Sequence, residues 1–309
     1  MSLAKTAEQI KTMEIRGAGK IAREAAAALR DHADTLPKAG LAAFLSEMDA
    51  AAELLLATRP TAVSLPNAVH LVLNGISAAE TEEEARRLVK TQADRFIQSS
   101  TDALQRIAEI CAARIKDGMT VMTHCNSKAA LAGILLAKEQ GKNISVIATE
   151  VRPWNQGLLT IKTLNDHEIP TTYIVDSAVR TFMKEADLVI VGADAVTVSG
   201  AVVNKIGTSQ IALAAHEARK NVLVAAETYK FAPQTLYGQH IEIEERPASE
   251  VLADDIAETL PFVTVRNPVF DVTPARYIDL IVTEAGAVPP AAAYTIMKEH
   301  LAFDDLERS

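Results

Sequence analysis

Over the first 118 positions apolar residues recur at steps of three and four, as at Ile10, Met13, Ile21, Ala25, Ala28 and Leu29, and runs of β-branched residues are nearly absent. This spacing predicts a helical region. From Ala79 to Lys116 the series Val89, Ala93, Phe96, Ile97, Leu104, Ile107, Ala108, Cys111 and Ile115 keeps one apolar face, which predicts a single helix about 50 Å long. Asp117-Gly118 then supplies a C-terminal stop.

Beyond Gly118 the pattern changes to short apolar runs rich in Val and Ile: Met119-His124, Ile144-Glu150, Thr171-Asp176, Leu188-Asp194, Asn221-Thr228 and Ile278-Glu284. These predict six strands separated by helical stretches. That alternation implies an α/β class with a mostly parallel, doubly wound sheet carrying helices on both faces. The chain thus reads as an N-terminal helical domain over 1–118 and a sheet domain over 119–309. Ligands of such sheets bind outside the carboxyl ends of the strands. The residues found there are chemically rich: His124-Cys125-Asn126-Ser127, Glu150-Val151-Arg152-Pro153, Asp176, Gly192-Ala193-Asp194 and, after the fifth strand, Lys230.

Composition narrows the partners. At 309 residues the chain is long enough for about two domains. Its net charge of -9 repels a phosphodiester backbone on average, and 4% aromatic residues leave few stacking platforms, so nucleic acid is not an expected partner. No apolar run approaches the ~20 residues of a spanning helix and the first residues lack a signal-peptide core, so no membrane partner and a cytoplasmic location are expected. The two cysteines, Cys111 and Cys125, form no CxxC pair, which argues against both a zinc site and a disulfide framework. Cys111 continues the apolar face of the long helix and reads as core.

Several segments carry candidate chemistry. In THCNSKAALAGILL, Cys125 stands at the mouth of a helix that Ser127 can cap. The amides of Ser127, Lys128 and Ala129 can receive a phosphate, and the positive helix end lowers a thiol pKa. His124 is either a base for Cys125 or a residue facing the other side of the sheet. In GADAVTVSGAVVNKIGT, Asp194 ends an apolar strand, where burial raises a carboxyl pKa and suits a proton donor, while Asn204 and Lys205 suit sugar hydroxyls and phosphate. The glycine loop at Arg16, Gly17, Ala18 and Gly19 could cradle a phosphate. In ATRPTAVSLPNA the prolines fix an irregular loop that could aim Arg59 inward.

Taken in order, RGAG, RPTAVSLPNA, THCNS, TEVRPWNQG, VGADAVTVSGAVVNKIGT and AAETYKF cover nearly the whole chain. They resemble the family that joins methylthioribose-1-phosphate isomerase, archaeal ribose-1,5-bisphosphate isomerase and the regulatory subunits of translation initiation factor 2B. The resemblance implies a helical domain followed by a Rossmann-like domain. It also implies a catalytic pair, Cys125 and Asp194, which the initiation-factor subunits generally lack. Arg16 to Gly19, Arg59, Ser127 to Ala129, Arg152, Gln156, Asn204 and Lys205 carry over as substrate-binding positions, although the family's usual T-R-P is V-R-P here. The AETYKF form is similar to the ribose-1,5-bisphosphate branch, in which the lysine matching Lys230 is a substrate ligand. The resemblance further implies a homo-oligomer of dimers grouped into a hexamer, AMP as a candidate activator, and a place in nucleoside monophosphate degradation. Methylthioribose-1-phosphate isomerase and a non-catalytic translation-factor subunit are the rival readings.

The expected reaction converts α-D-ribose 1,5-bisphosphate to D-ribulose 1,5-bisphosphate with no metal and no cofactor. A 1-phosphorylated ribose cannot open as a free aldose does, because its anomeric oxygen has no proton to lose. Asp194 is therefore expected to protonate the ring oxygen while a Cys125 thiolate removes the proton from carbon 2. This requires the cysteine pKa to be pushed down and the aspartate pKa up.

Overall fold

The computed structural model describes residues 2–301. Two compact units emerge. One comprises the described residues of Met1–Ala103 and Thr295–Ser309 together with Thr228–Ala232, and the other comprises Leu104–Glu227 and Pro233–Tyr294. The division thus falls within the long helix instead of at its end, because the two halves of that helix bury their apolar faces in different cores.

The first unit is helical: Leu3–Lys11 (α1), Ala18–Thr35 (α2), Leu41–Leu56 (α3), Ser64–Leu73 (α4) and the start of Glu82–Ala112 (α5). The three- and four-residue spacing becomes a buried stripe of Ile10, Ile21, Ala25, Ala28 and Leu29. Met13 leaves that stripe, since α1 closes at Lys11 and Met13 takes a left-handed φ of 64°. Helix α5 starts at Glu82, three residues later than its apolar series suggests. The Thr81 hydroxyl there accepts the Glu84 amide, and three glutamates face the positive end of the helix. The segment after Arg59 is also more regular than its prolines suggest. Pro66 lies in the first turn of α4, where the helix does not need its missing N–H.

The second unit is built on a seven-stranded sheet. In chain order its strands and helices are Thr120–Thr123 (β1), Lys128–Glu139 (α6), Ser145–Thr149 (β2), Gly157–Asp166 (α7), Thr171–Ile174 (β3), Val179–Phe182 (α8) and Leu188–Gly192 (β4). Ala195–Val196 (β5), Val202–Lys205 (β6), Thr208–Glu217 (α9), Asn221–Ala225 (β7), Asp254–Ala257 (α10), Phe270–Thr273 (β8), Leu280–Thr283 (β9) and Gly286–Val288 (β10) follow. Helix α11 (Ala293–His300) crosses from this unit into the first. All six predicted strands are present.

The sheet runs β10-β9-β7-β4-β1-β2-β3, parallel except for the edge strand β10. From β1 the chain winds outward through β2 and β3, then returns to β4 on the other side of β1 and winds outward again through β7 and β9. The winding therefore reverses between β1 and β4, whose register pairs Val121 with Leu188 and Met122 with Val189. A crevice forms at such a reversal. A second, antiparallel sheet of β5, β6 and β8, absent from the sequence reading, extends the segment that follows β4.

The core under the sheet joins Ile107 and Cys111 of the α5 end, and Ile115 just beyond it, to Ile134 of α6 and to Val121, Val146 and Ile190 of the strands. Each large apolar side chain fully buried there stabilises by roughly 1.5–3 kcal/mol. Helix α6 comes close to α5 because residue 133 is glycine: a Cβ at Gly133 would stand 2.3 Å from the Cβ of Cys111.

Candidate active site

Cys125 and Asp194 follow the carboxyl ends of β1 and β4, the two neighbouring strands between which the winding reverses. Both are half-buried. Cys125 occupies the left-handed region with φ 63°, so the chain turns sharply between the strand and α6. Its carbonyl accepts the Thr160 hydroxyl of α7 at 2.7 Å. Ser127 caps α6, its hydroxyl accepting the Ala130 amide at 3.3 Å, and packs over Gly192 at the end of β4. A Cβ at residue 192 would lie 2.3 Å from the Ser127 Oγ, so the small residue lets the cysteine loop approach the strand bearing Asp194. Lys128 points outward and Ala129 is buried.

The thiol's electrostatics correct one expectation. Burial is the main influence on Cys125 and raises its pKa to about 11, with Asp194 and Asp176 adding to the rise and Lys205 and the Asn126 amide opposing it. The expected lowering fails because the helix end and one cation do not offset desolvation. The free chain therefore carries a thiol at neutral pH.

His124 is buried and both its ring nitrogens are engaged: Nδ1 lies 2.6 Å from the Thr149 hydroxyl and Nε2 lies 2.8 Å from the Ile206 carbonyl. A carbonyl can only accept, so Nε2 carries the hydrogen and Nδ1 accepts from Thr149. Burial keeps the ring's pKa below its ordinary value. The imidazole is neutral and has no nitrogen left for the Cys125 proton. It ties β1 to β2 and to the turn that follows Lys205.

That turn opens α9. Asn204 is buried and donates to Thr208 Oγ1 at 2.9 Å, while Lys205 places Nζ 5.0 Å from the Phe270 ring centroid. The Asp271 carboxylate accepts the Gly207 amide at 2.8 Å and the Ser209 amide at 3.1 Å, filling the helix end with a resident carboxylate. Burial holds the Asp271 carboxyl above its usual range in spite of these amides. On the other flank, Asp176 accepts the Val151 and Arg152 amides at 2.9 and 2.8 Å. The Arg152 side chain is exposed, Gln156 is half-buried, and Trp154 between them packs its ring 3.9 Å from the Arg246 guanidinium.

The first unit gathers the other candidate residues. Arg16 Nε donates to the Met13 carbonyl and Arg59 NH1 lies 2.6 Å from the Met13 sulfur, so one residue in a left-handed turn engages both arginines. Gly17, with φ 87°, leads into α2, which places Ala18 and Gly19 in its first turn. The Ser64 hydroxyl donates to the Ala18 carbonyl at 3.1 Å, joining the RGAG and RPTAVS segments. Lys230 is buried in a short turn over Thr228–Lys230. Its neighbour Tyr229 stacks edge-on against Phe96, with centroids 5.2 Å apart, and its hydroxyl lies 3.1 Å from Ser100 Oγ, which Arg23 also reaches.

The structure thus brings Cys125, Ser127, Asp194 and Lys205 together in one unit, and joins the Arg16, Arg59 and Ala18 segments in the other. Sequence reasoning missed the Thr149 and Ile206 anchors of His124, the Asp271 cap and the Trp154–Arg246 stack. None follows a local motif.

Comparison with known proteins accords with this picture. The model of the initiation factor 2 subunit family matches residues 14–290. The ribose 1,5-bisphosphate isomerase of Archaeoglobus fulgidus is 54% identical over 301 residues, covering 97% of this chain and 94% of that protein. That of Methanocaldococcus jannaschii is 51% identical over 298 residues, covering 96% and 95%. Among solved structures, the translation initiation factor eIF-2B of Pyrococcus horikoshii superposes with a TM-score of 0.79 at 32% identity, covering 93% of this chain and 97% of that one.

Proposed function

Since the chain belongs to the initiation factor 2 subunit family, we propose that within it this protein is an aldose–ketose isomerase converting α-D-ribose 1,5-bisphosphate to D-ribulose 1,5-bisphosphate. The observation that carries the reading is the placement of a thiol and a carboxyl at adjacent strand ends where the sheet reverses its winding. Near-half identity to isomerases over almost the full chain supports the same substrate.

The proposed steps balance. Asp194 gives its proton to the ring oxygen as the bond from carbon 1 to that oxygen breaks. The Cys125 thiolate takes the proton of carbon 2, leaving a carbon 1–carbon 2 double bond that bears the phosphate on carbon 1 and a hydroxyl on carbon 2. Cys125 returns its proton to carbon 1, the hydroxyl of carbon 2 gives its proton to Asp194, and the ketone forms with both residues restored. A thiol of pKa about 11 is ionised in few molecules at neutral pH, yet its thiolate is a correspondingly strong base toward a weakly acidic C–H bond. Lys205, which favours the thiolate, is assigned to sustain that fraction.

Arg16, Arg59 and Lys230, with Lys205, are assigned to the substrate's phosphates. The same reading includes a homo-oligomer built from dimers and activation by AMP, tested by light scattering and an AMP titration. The central test measures ribulose 1,5-bisphosphate formed from ribose 1,5-bisphosphate, with methylthioribose 1-phosphate alongside. Turnover of the bisphosphate alone is expected; turnover of methylthioribose 1-phosphate alone, or of neither, would sink the reading.

A further inference from the structure

The turn that holds Lys230 has an anchor of its own. Asn67, in the first turns of α4, donates both hydrogens of its side-chain amide across the unit: one to the Tyr229 carbonyl at 2.8 Å and one to the Phe231 carbonyl at 2.7 Å. These are the carbonyls on either side of Lys230. Internally the Phe231 amide donates to the Thr228 carbonyl at 3.1 Å. The side chains of Thr228, Tyr229 and Lys230 are all buried and Phe231 is fully so, so the carbonyls of this stretch need a protein donor. Asn67 is that donor at two of them.

The chemistry of the two residues makes this more than a packing contact. A lysine is a point charge on a flexible four-carbon stem, so fixing the start of that stem narrows where the charge can stand. The primary amide of asparagine has two hydrogens in one plane, which can bridge two carbonyls spaced on either side of a single residue. An aspartate at position 67 would set oxygens against both carbonyls, and a serine would reach neither with two hydrogens.

We propose that Asn67 is a specificity-determining positioning residue: by clamping the backbone on both sides of Lys230 it sets where the ammonium meets the second phosphate of the substrate. This rests on the reading that Lys230 binds that phosphate. The clamp acts on recognition of the bisphosphate and not on proton transfer.

The test compares wild type, Asn67→Ala, Lys230→Met and the double variant, with KM and kcat measured for ribose 1,5-bisphosphate and the inhibition constant measured for ribose 1-phosphate, which lacks the second phosphate. Asn67→Ala is expected to raise KM for the bisphosphate about tenfold, the order of effect of losing two buried hydrogen bonds, with kcat within about twofold and the inhibition constant unchanged. In the Lys230→Met background the same change is expected to add nothing, since the group it positions is gone. Equal weakening of both ligands, or an undiminished effect of Asn67→Ala in the Lys230→Met background, would overturn the proposal in favour of a purely structural role. If Lys230→Met itself leaves the preference for the bisphosphate intact, the reading of Lys230 falls; if Lys230→Met abolishes the preference while Asn67→Ala keeps it, the clamp alone falls. Thermal melting reports folding, and where the alanine variant does not fold, Asn67→Ser, which retains a shorter donor, is measured in the same four-way comparison against the same outcomes.

Discussion

The two units place functional groups by different means. In the sheet unit, Cys125 and Asp194 are set by topology: each stands two residues past the end of a buried parallel strand, and adjacent strands bring them together whatever their side chains do. In the helical unit, Lys230 sits in a three-residue turn with little regular structure, held by side chains that reach it from α4 and α5. Backbone geometry fixes the first kind of site. The second depends on individual hydrogen bonds, and a single substitution can loosen it.

That contrast can be broken or sharpened experimentally. The largest effect is expected at the topological pair: Cys125→Ser or Asp194→Asn should lower kcat by about 10³-fold or more with melting nearly unchanged, as for groups acting directly on the reacting atoms. A loss below about tenfold in steady-state assays would show that the strand ends do not hold the reacting groups. Next comes the pH profile. Because burial raises the Cys125 pKa to about 11, the thiolate fraction grows about tenfold for each pH unit below that value, so the rate at which iodoacetamide alkylates Cys125 should climb by nearly that factor per unit from pH 7 to 9. A flat profile would contradict a thiol pKa raised by burial.

Smaller effects follow from the supporting contacts. Lys230→Met should raise KM for the bisphosphate about tenfold or more while leaving the ribose 1-phosphate inhibition constant within about twofold. Gly192→Ala forces Ser127 aside, since the added Cβ would fall 2.3 Å from its Oγ, and should cost about 1–3 kcal/mol in a denaturant titration together with several-fold activity. The smallest effect concerns Cys111, whose thiol burial raises to about 12. The unfolded chain releases that proton near pH 9 while the folded chain keeps it, so the contribution is full below about pH 9 and is lost as pH rises through about 12. Melting midpoints should fall over that window, and fall less steeply in Cys111→Ala.

The sequence was legible where burial is continuous. Strands β1, β2, β4 and β7 are apolar runs because both faces of a central parallel strand are covered, and the residues after them announced themselves by position. Strand β5, with two residues, and β8, with the polar Asp271 in its middle, carry no periodicity to read. The direction of the Cys125 pKa was misread for a related reason. A helix end and a neighbouring lysine are visible in the local sequence, whereas desolvation is a property of everything packed around the loop. Asn67 and Asp271 were hidden by distance, since their partners lie 162 to 164 and 62 to 64 residues away along the chain.

The left-handed, half-buried seat of Cys125 has a consequence for the lifetime of the protein. Oxidants and alkylating reagents attack the thiolate, and with a pKa of about 11 only about one molecule in 10⁴ presents it at pH 7. Iodoacetamide should therefore inactivate the enzyme slowly at neutral pH, far more slowly than it consumes an ordinary exposed thiol. The burial that gives Cys125 its basicity also shelters it from chemical wear.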